Sequence, residues 1–256
     1  MNPPLRAQMN LSSRPPGCFV TGTDTEVGKT RISAALLHWL GGQGLAAVGF
    51  KPVAAGTTRI DGMFVNEDVR LLREASSVTI TVTDAEVGPF QFDAACAPHV
   101  AAALEGRAID LAAILAAGRA LQARSDCIVV EGVGGFCVPL GPDWDSSHIA
   151  SGFALPVVLV VGLRLGCLNH ALLTVAAIKA RGLPLAGWIA NTIDPAMTYL
   201  VQNLATLHHE LDARQQLPCL GVVPWLADTR PGAVAAHLND AALKAAFGLR
   251  DRSPFC

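Results

Sequence analysis

The sequence has few charged residues and no cluster of positive charge. Asp, Glu, Lys and Arg make up 16% of the 256 residues, the formal net charge is -2, and no run of Lys or Arg occurs. Because nucleic-acid-binding proteins concentrate Lys and Arg on one face, we expect no nucleic-acid partner. Hydrophobic residues, in contrast, account for 51% of the chain, which is ample for a large core and atypical of a disordered protein.

Closely spaced cysteines and long apolar runs are also missing. The 7 cysteines are scattered and none forms a C-x-x-C pair, which argues against a metal site or a disulfide framework and suits a reducing cytoplasm. The longest apolar stretch, residues 154–163, is far shorter than the roughly 20 residues that span a bilayer. We therefore expect a cytoplasmic protein without a membrane segment, preceded by a flexible, Pro-containing tail at residues 1–16.

Short β-branched segments alternate with longer segments rich in Ala and Leu. The predicted strands are residues 18–21, 46–51, 127–130, 156–161, 185–190 and 219–222, and the predicted helices are residues 29–42, 67–75, 97–105, 109–124, 143–153, 168–181, 196–214 and 233–247. This alternation is typical of an α/β fold with a doubly wound, mostly parallel sheet flanked by helices. No linker divides the chain, so a single domain is predicted over residues 17–250. Ligands of such sheets bind beyond the carboxyl ends of the strands, where we expect the site.

The segment GTDTEVGKT, residues 22–30, lies between the first predicted strand and the first predicted helix. A P-loop has four residues between its glycines, whereas five separate Gly22 from Gly28, so the window that fits the motif starts at Thr23. Backbone N–H groups and the positive end of the helix would surround a phosphate, Lys29 would reach the outer phosphates, and Thr30 would offer a hydroxyl to Mg²⁺. The alternative is an ordinary glycine turn, which is less favoured because G-K-T occurs between a strand and a helix.

Three further ionisable residues lie near this predicted edge. Glu131 ends an apolar strand, where a carboxylate needs a partner and would suit Mg²⁺. Asp68 begins a predicted helix, either as a second Mg²⁺ ligand or as a solvated acid favoured by the helix dipole. Lys51 ends the second predicted strand, either as a second cation for anionic ligands or as a charge that extends to solvent.

In combination, these motifs resemble the dethiobiotin synthetases. The resemblance runs in order from about residue 18 to 230 and includes GTDTEVGKT at 22–30, GFKPVA at 49–54, VEGVGG at 130–135, LGCLNHA at 165–171, AN at 190–191 and PWL at 224–226. The extra residue in the phosphate loop is a mark of that family. The resemblance implies a P-loop NTPase fold and an ATP- and Mg²⁺-dependent ring closure in biotin biosynthesis. The substrates would be 7,8-diaminononanoate, carbon dioxide or bicarbonate, and ATP.

The resemblance also implies roles for the residues at matching positions. The ATP site would comprise Glu26, Val27, Gly28, Lys29, Thr30, Arg31, Asp68, Glu131, Gly132, Val133, Gly134, Asn191, Thr192, Pro224, Trp225 and Leu226. Mg²⁺ would be held by Thr30, Asp68 and Glu131, and the catalytic cations would be Lys51 and Lys29. The substrate would lie across the interface of a homodimer, against Lys51, Ala55 and the helix start of the other subunit at Gly166, Cys167, Leu168 and Asn169.

Two positions depart from the family pattern. Ala55 stands where a Ser or Thr hydroxyl is usual, so either Thr57 or Thr58 replaces that hydroxyl or one substrate contact is lost. Arg164 precedes LGC where a Lys is expected, which keeps the charge and changes its shape.

Three other interpretations use a similar ATP-binding motif. Partition and septum-positioning ATPases carry a signature lysine early in the loop, where this chain has Asp24. The amidases of cobalamin synthesis need a glutaminase domain, for which the residues after 230 leave no room. A nucleotide-binding paralogue that has lost catalysis is supported only by Ala55.

Overall fold

The computed structural model describes residues 17–60 and 63–249, so the predicted tail at residues 1–16 lies outside the described residues. The strands are β1 (Gly17–Gly22), β2 (Ala47–Phe50), β3 (Val53–Ala55), β4 (Thr58–Ile60), β5 (Met63–Val65), β6 (Phe90–Phe92), β7 (Cys127–Glu131), β8 (Pro139–Gly141), β9 (Trp144–Asp145), β10 (Val157–Leu163), β11 (Leu185–Thr192) and β12 (Cys219–Val223). The helices are α1 (Lys29–Gly42), α2 (Glu67–Ala75), α3 (Asp84–Val87), α4 (Pro98–Leu104), α5 (Leu111–Gln122), α6 (Ser146–Phe153), α7 (Cys167–Ala180), α8 (Leu200–Leu207), α9 (Pro231–Ala235) and α10 (Asp240–Ala246).

The central sheet has the strand order β12-β11-β10-β1-β7-β2, and every neighbouring pair is parallel. These strands are the ones that the sequence predicts. Strands β1, β7 and β10 are buried along their whole length, which agrees with their continuous apolar sequences. The doubly wound parallel sheet is therefore confirmed, and its strands end at a common edge.

Apolar side chains cover both faces of the sheet. In β1, Cys18 and Val20 pack on the face that holds Leu36 of α1, whereas Phe19 packs on the opposite face with Ile149 of α6. This alternation places β1 between two apolar layers. The loop that follows β1 consequently starts from the middle of the core.

Three of the predicted helices need correction. The predicted helix over residues 233–247 is two helices, α9 and α10, because the Asn239 side chain accepts a hydrogen bond from Ala242 N at 3.1 Å and starts a new helix. The helix predicted over 196–214 begins only at Leu200 and continues beyond α8 as a π-helical segment, His208–Ala213. The predicted helix over 143–153 starts at Ser146, after the Asp145 cap. The short paired strands β3 and β6, β4 and β5, and β8 and β9 were missed.

The cysteines in the described part of the chain are all free, as the sequence predicts; they are Cys18, Cys96, Cys127, Cys137, Cys167 and Cys219. Burial raises the pKa of the Cys127 thiol to about 12, so this side chain behaves as a small apolar group. Across residues 17–60 and 63–249, no helix combines the length and the apolar character needed to cross a membrane.

Candidate active site

The phosphate loop joins the end of β1 to the start of α1. Gly28, immediately before α1, has a φ of 86° and Glu26 has a φ of 59°, so the loop curls through left-handed backbone conformations. No side chain caps α1, and its first turn contains no acidic residue. Its first N–H groups can therefore bind an anion, as the P-loop prediction requires.

Lys29 points back into this loop. Its side chain is buried, and Nζ donates a hydrogen bond to the carbonyl oxygen of Asp24 at 2.8 Å. Burial lowers the pKa of Lys29 to about 8, and the nearby Lys51 acts in the same direction, against the opposing effect of acidic neighbours such as Glu131. A bound anion would favour the charged form of this lysine.

A buried cluster of charges lies beside the loop. Lys51 follows β2 and Glu131 ends β7, and the parallel pairing of Phe50 with Val130 brings the two side chains together. Lys51 Nζ lies 2.5 Å from Glu131 Oε1 and 3.1 Å from Oδ2 of Asp68 in the first turn of α2. Glu131 lies 80 positions after Lys51 and 63 positions after Asp68 in the chain. The fold nevertheless brings the three side chains together.

Electrostatics favour the charged forms of Lys51 and Asp68. Burial alone would lower the pKa of Lys51, but the carboxylates of Glu131 and Asp68 outweigh it, so the pKa lies well above its ordinary value. Burial would likewise raise the pKa of Asp68, but Lys51 holds it below the ordinary value. Lys51 is therefore not a charge that extends to solvent, since only 3% of the residue is exposed.

The oxygen atoms around Glu131 fit a magnesium site. Glu131 Oε1 accepts a hydrogen bond from Thr30 Oγ1 at 2.8 Å, whereas the buried Oε2 has no hydrogen-bond partner among the described residues. Within the described part of the chain, no group of three or more His, Cys, Asp or Glu residues could hold a metal. Mg²⁺ is commonly bound by one or two carboxylates together with water and substrate phosphates, so Thr30, Asp68 and Glu131 suit this ion.

The loops after β11 and β12 form a second cleft beside α1. It is lined by Arg31, Asn191, Thr192, Val223, Pro224, Trp225, Leu226, Thr229 and Val234. The structure thus brings together Asn191, Thr192, Pro224, Trp225 and Leu226, which the resemblance assigns to the ATP site, and that assignment stays a prediction. Asn191 has a further role that the sequence did not indicate, because its Nδ2 donates to the carbonyl oxygen of Val27 in the phosphate loop at 2.9 Å.

The turn after β7 contacts both β1 and Lys51. Gly132 N donates to Val20 O at 2.9 Å, and Gly132 O accepts from Lys51 Nζ at 3.3 Å. Val133 packs against the apolar cluster on the α6 face, and Gly134 has a φ of 59°. The assignment of these three residues to the ATP site remains a prediction.

The residues predicted to bind the substrate fall in two places. Ala55 ends β3, and the nearby threonine hydroxyls already have protein acceptors: Thr57 donates to Asp93 Oδ1 at 2.7 Å and Thr58 to Val65 O at 3.4 Å. Gly166, with a φ of 94°, precedes α7, which starts at Cys167 and lacks both a side-chain cap and an acid in its first turn. The predicted helix start, which includes Leu168 and Asn169, is present. Cys167 N already donates to Arg164 O at 3.0 Å, so an anion would be bound by the N–H groups that follow it in the first turn.

One contact of the phosphate loop was missed in the sequence. The Arg164 guanidinium, from the segment between β10 and α7, forms an ion pair with the Asp24 carboxylate. An acidic residue inside a phosphate-binding loop was the available signal, since such a charge needs a nearby cation.

Comparisons with known proteins identify the family of this chain. A family model described as an AAA domain matches residues 17–233. The ATP-dependent dethiobiotin synthetase BioD of Aromatoleum aromaticum is 51% identical over 227 residues, which is 89% of this chain and 98% of that protein. The MinC:MinD cell division protein complex of Aquifex aeolicus contains a chain that is 15% identical, with a TM-score of 0.52 over 93% of this chain and 98% of that chain, a likeness of fold alone. By its sequence and its P-loop fold, the chain belongs to the family of ATP-dependent dethiobiotin synthetases, which are ligases of biotin biosynthesis.

Proposed function

We propose that this ATP-dependent synthetase forms dethiobiotin through a carbamate at the Lys51, Asp68 and Glu131 cluster. One amine of 7,8-diaminononanoate adds to carbon dioxide, forming a C–N bond and releasing a proton. A carbamate oxygen then attacks the γ-phosphorus of ATP, and the bond to ADP breaks. The second amine attacks the carbamate carbon, phosphate leaves with the bonding electrons, and loss of a proton gives the cyclic urea.

The observation that supports this proposal is the buried Lys51 ammonium beside the phosphate loop. A carbamate and a triphosphate repel each other unless cations lie between them. Lys51 and Lys29 belong to one electrostatic cluster: burial and the charge of Lys51 lower the pKa of Lys29, and Glu131 and Asp68 oppose the effect of burial on the pKa of both lysines. Phosphoryl transfer depends mainly on positioning and charge stabilisation, so these cations suffice without a covalent nucleophile.

Thr30, Asp68 and Glu131 would hold Mg²⁺. When bound, this ion would neutralise charge on the transferred phosphoryl group. The unpartnered Oε2 of Glu131 supports this assignment, because a buried carboxylate oxygen without a hydrogen bond is unfavourable unless a ligand completes it.

The nucleotide base would occupy the cleft beside Trp225, and the triphosphate would extend from there along Arg31 to the first turn of α1. The diamine would contact Ala55 and Lys51, and its carboxylate would bind at Gly166 to Asn169 of a second subunit. A homodimer is supported by exposed apolar side chains on and beside α7 and α8; they are Leu165, Leu173, Tyr199 and Val201. We place the enzyme in the cytoplasm.

A phosphate-release assay with purified protein tests the proposal. With Mg-ATP and bicarbonate, release should depend on added 7,8-diaminononanoate and should stop when EDTA removes Mg²⁺. A partition-type switch would hydrolyse ATP without the diamine. Binding of Mg-ATP without any diamine-dependent release would instead identify a paralogue that has lost catalysis, and the proposal would be wrong.

Replacing Ala55 by serine should lower the apparent KM for the diamine by about two- to fivefold, the value of one added hydrogen bond. The reason is that the neighbouring hydroxyls of Thr57 and Thr58 already donate to protein acceptors. Steady-state phosphate release at varied diamine concentration measures the effect, with Ala241→Ser on the exposed side of α10 as the control. An unchanged KM would mean that another group already supplies the contact.

A further inference from the structure

The phosphate loop carries an acidic residue at an unfavourable position. Asp24 lies five residues before Lys29, and its carbonyl oxygen accepts the hydrogen bond from Lys29 Nζ at 2.8 Å. Its carboxylate contributes to the electrostatic environment of Lys29. A negative charge that acts on this lysine also acts on any phosphate that the lysine binds, and it opposes the binding of a triphosphate.

Arg164 compensates this charge from another strand end. Asp24 Oδ1 accepts a hydrogen bond from Thr25 N at 2.8 Å, and Oδ2 is paired with Arg164 Nη2. The main chain of Arg164 is anchored as well, since its carbonyl oxygen accepts from Cys167 N at 3.0 Å in the first turn of α7. The side chain and the main chain of Arg164 are thus both held in place, which keeps the guanidinium against the loop.

The ion pair contributes little to folding. The side chains of Arg164 and Asp24 are 40% and 44% exposed, and exposed pairs stabilise proteins by only about 0–1 kcal/mol. The pair borders the loop rather than the hydrophobic core. Its effect should therefore be seen in anion binding and not in stability.

We propose that Arg164 is a positioning residue that neutralises Asp24 and thereby keeps the phosphate loop favourable for the triphosphate of ATP. The inference rests on the proposed function in one respect only, which is that the anion bound by the phosphate loop is Mg-ATP. It assigns to Arg164 an indirect role through Asp24, with no contact to the reacting atoms.

Calorimetric titration of the full chain with Mg-ATP, without diamine, tests this inference. Arg164→Gln should raise the Kd by about five- to tenfold because Asp24 is left uncompensated, and the deficit should shrink at high salt. Arg164→Lys should retain most of the affinity. The decisive variant is Arg164→Gln combined with Asp24→Asn, which should return the Kd to within about twofold of wild type because both charges are gone.

Arg181→Gln is the matched control, since the Arg181 side chain is 38% exposed and pairs with Asp145 at 3.3 Å, outside the phosphate loop. Thermal midpoints of all variants should lie within a few degrees of each other. Wild-type affinity in Arg164→Gln, or a double variant as weak as Arg164→Gln, would overturn the inference. Failure of the wild type to release phosphate with diamine would reject the ring closure alone, because this titration measures ATP binding without chemistry.

Discussion

Replacing Lys51 by glutamine should lower diamine-dependent phosphate release by about 10²- to 10³-fold, the usual loss when one preorganised charge at a reacting centre is removed. The Lys51 ammonium lies 2.5 Å from the carboxylate of Glu131 and 3.1 Å from that of Asp68. Without it, the carbamate and the γ-phosphate would lose a neutralising charge in a buried site. Steady-state turnover at saturating Mg-ATP, together with the KM for the diamine, measures the loss, and the KM should rise.

The same substitution should reduce stability. Glu131 is fully buried, and breaking a buried ion pair costs about 3–5 kcal/mol because the remaining charge is left uncompensated. Thermal unfolding should therefore occur at a lower temperature, and Mg-ATP should recover part of the difference. This measurement separates a misfolded variant from a folded one with slow chemistry.

Two controls accompany the Lys51 variant. Lys179→Gln makes the same chemical change at an exposed lysine that contacts Gln215, and it should have wild-type turnover. Lys51→Gln combined with Asp68→Asn removes a charge of each sign and should be more stable than Lys51→Gln while remaining inactive. Turnover near wild type in a folded Lys51→Gln enzyme would show that the role assigned to Lys51 is wrong.

Replacing Gly28 by alanine should weaken Mg-ATP binding by about 10²-fold or more, from left-handed backbone strain of about 1–2 kcal/mol and the loss of a buried hydrogen bond of similar size. The φ of Gly28 is 86°, and an added Cβ would lie 2.2 Å from Asn191 Nδ2. Asn191 can move away only by giving up its hydrogen bond to Val27 O in the same loop. Calorimetric titration with Mg-ATP measures the effect.

Gly182→Ala is the matched control for Gly28→Ala. Gly182 also has a positive φ, 68°, but an added Cβ would meet nothing within 4 Å, so this variant shows the backbone strain without the clash. Its ATP affinity should match wild type, although it should unfold at a slightly lower temperature. If Gly28→Ala bound Mg-ATP as tightly as Gly182→Ala, the loop conformation described for Gly28 would not be the one that binds the nucleotide.

Sequence-based prediction was most successful for elements whose signal is local. The six strands of the central sheet, the helix at 29–42 and the helix at 67–75 were predicted with errors of at most two residues, because each is a short apolar or amphipathic segment between turn residues. The error in the predicted helix over residues 233–247 has a local cause too. Asn239 looks like one more polar residue in an Ala-rich segment, yet its side chain caps α10 and divides the predicted helix.

The sequence names candidate members of the site but does not give the contacts between them. The G-K-T spacing and the acid at the end of β7 identify Lys29, Thr30 and Glu131 as residues of a phosphate site. Nothing in the sequence motif indicates that Lys51 is buried between two carboxylates. Only the structure rejects the alternative that the Lys51 side chain extends to solvent. The two hydroxyls suggested as substitutes at Ala55 were also found to have other partners.

The amino-acid sequence is sufficient to predict the parallel α/β class, the phosphate loop between β1 and α1, and the family to which the chain belongs. These features depend on patterns within a few residues and on motifs in a given order. Only the tertiary structure shows that Lys51 pairs with Glu131 and Asp68, that Asn191 donates a hydrogen bond to Val27 O, and that Arg164 forms an ion pair with Asp24. Such contacts join strand ends that are distant in the chain, and their geometry depends on strand order and register, which follow from packing of the whole sheet.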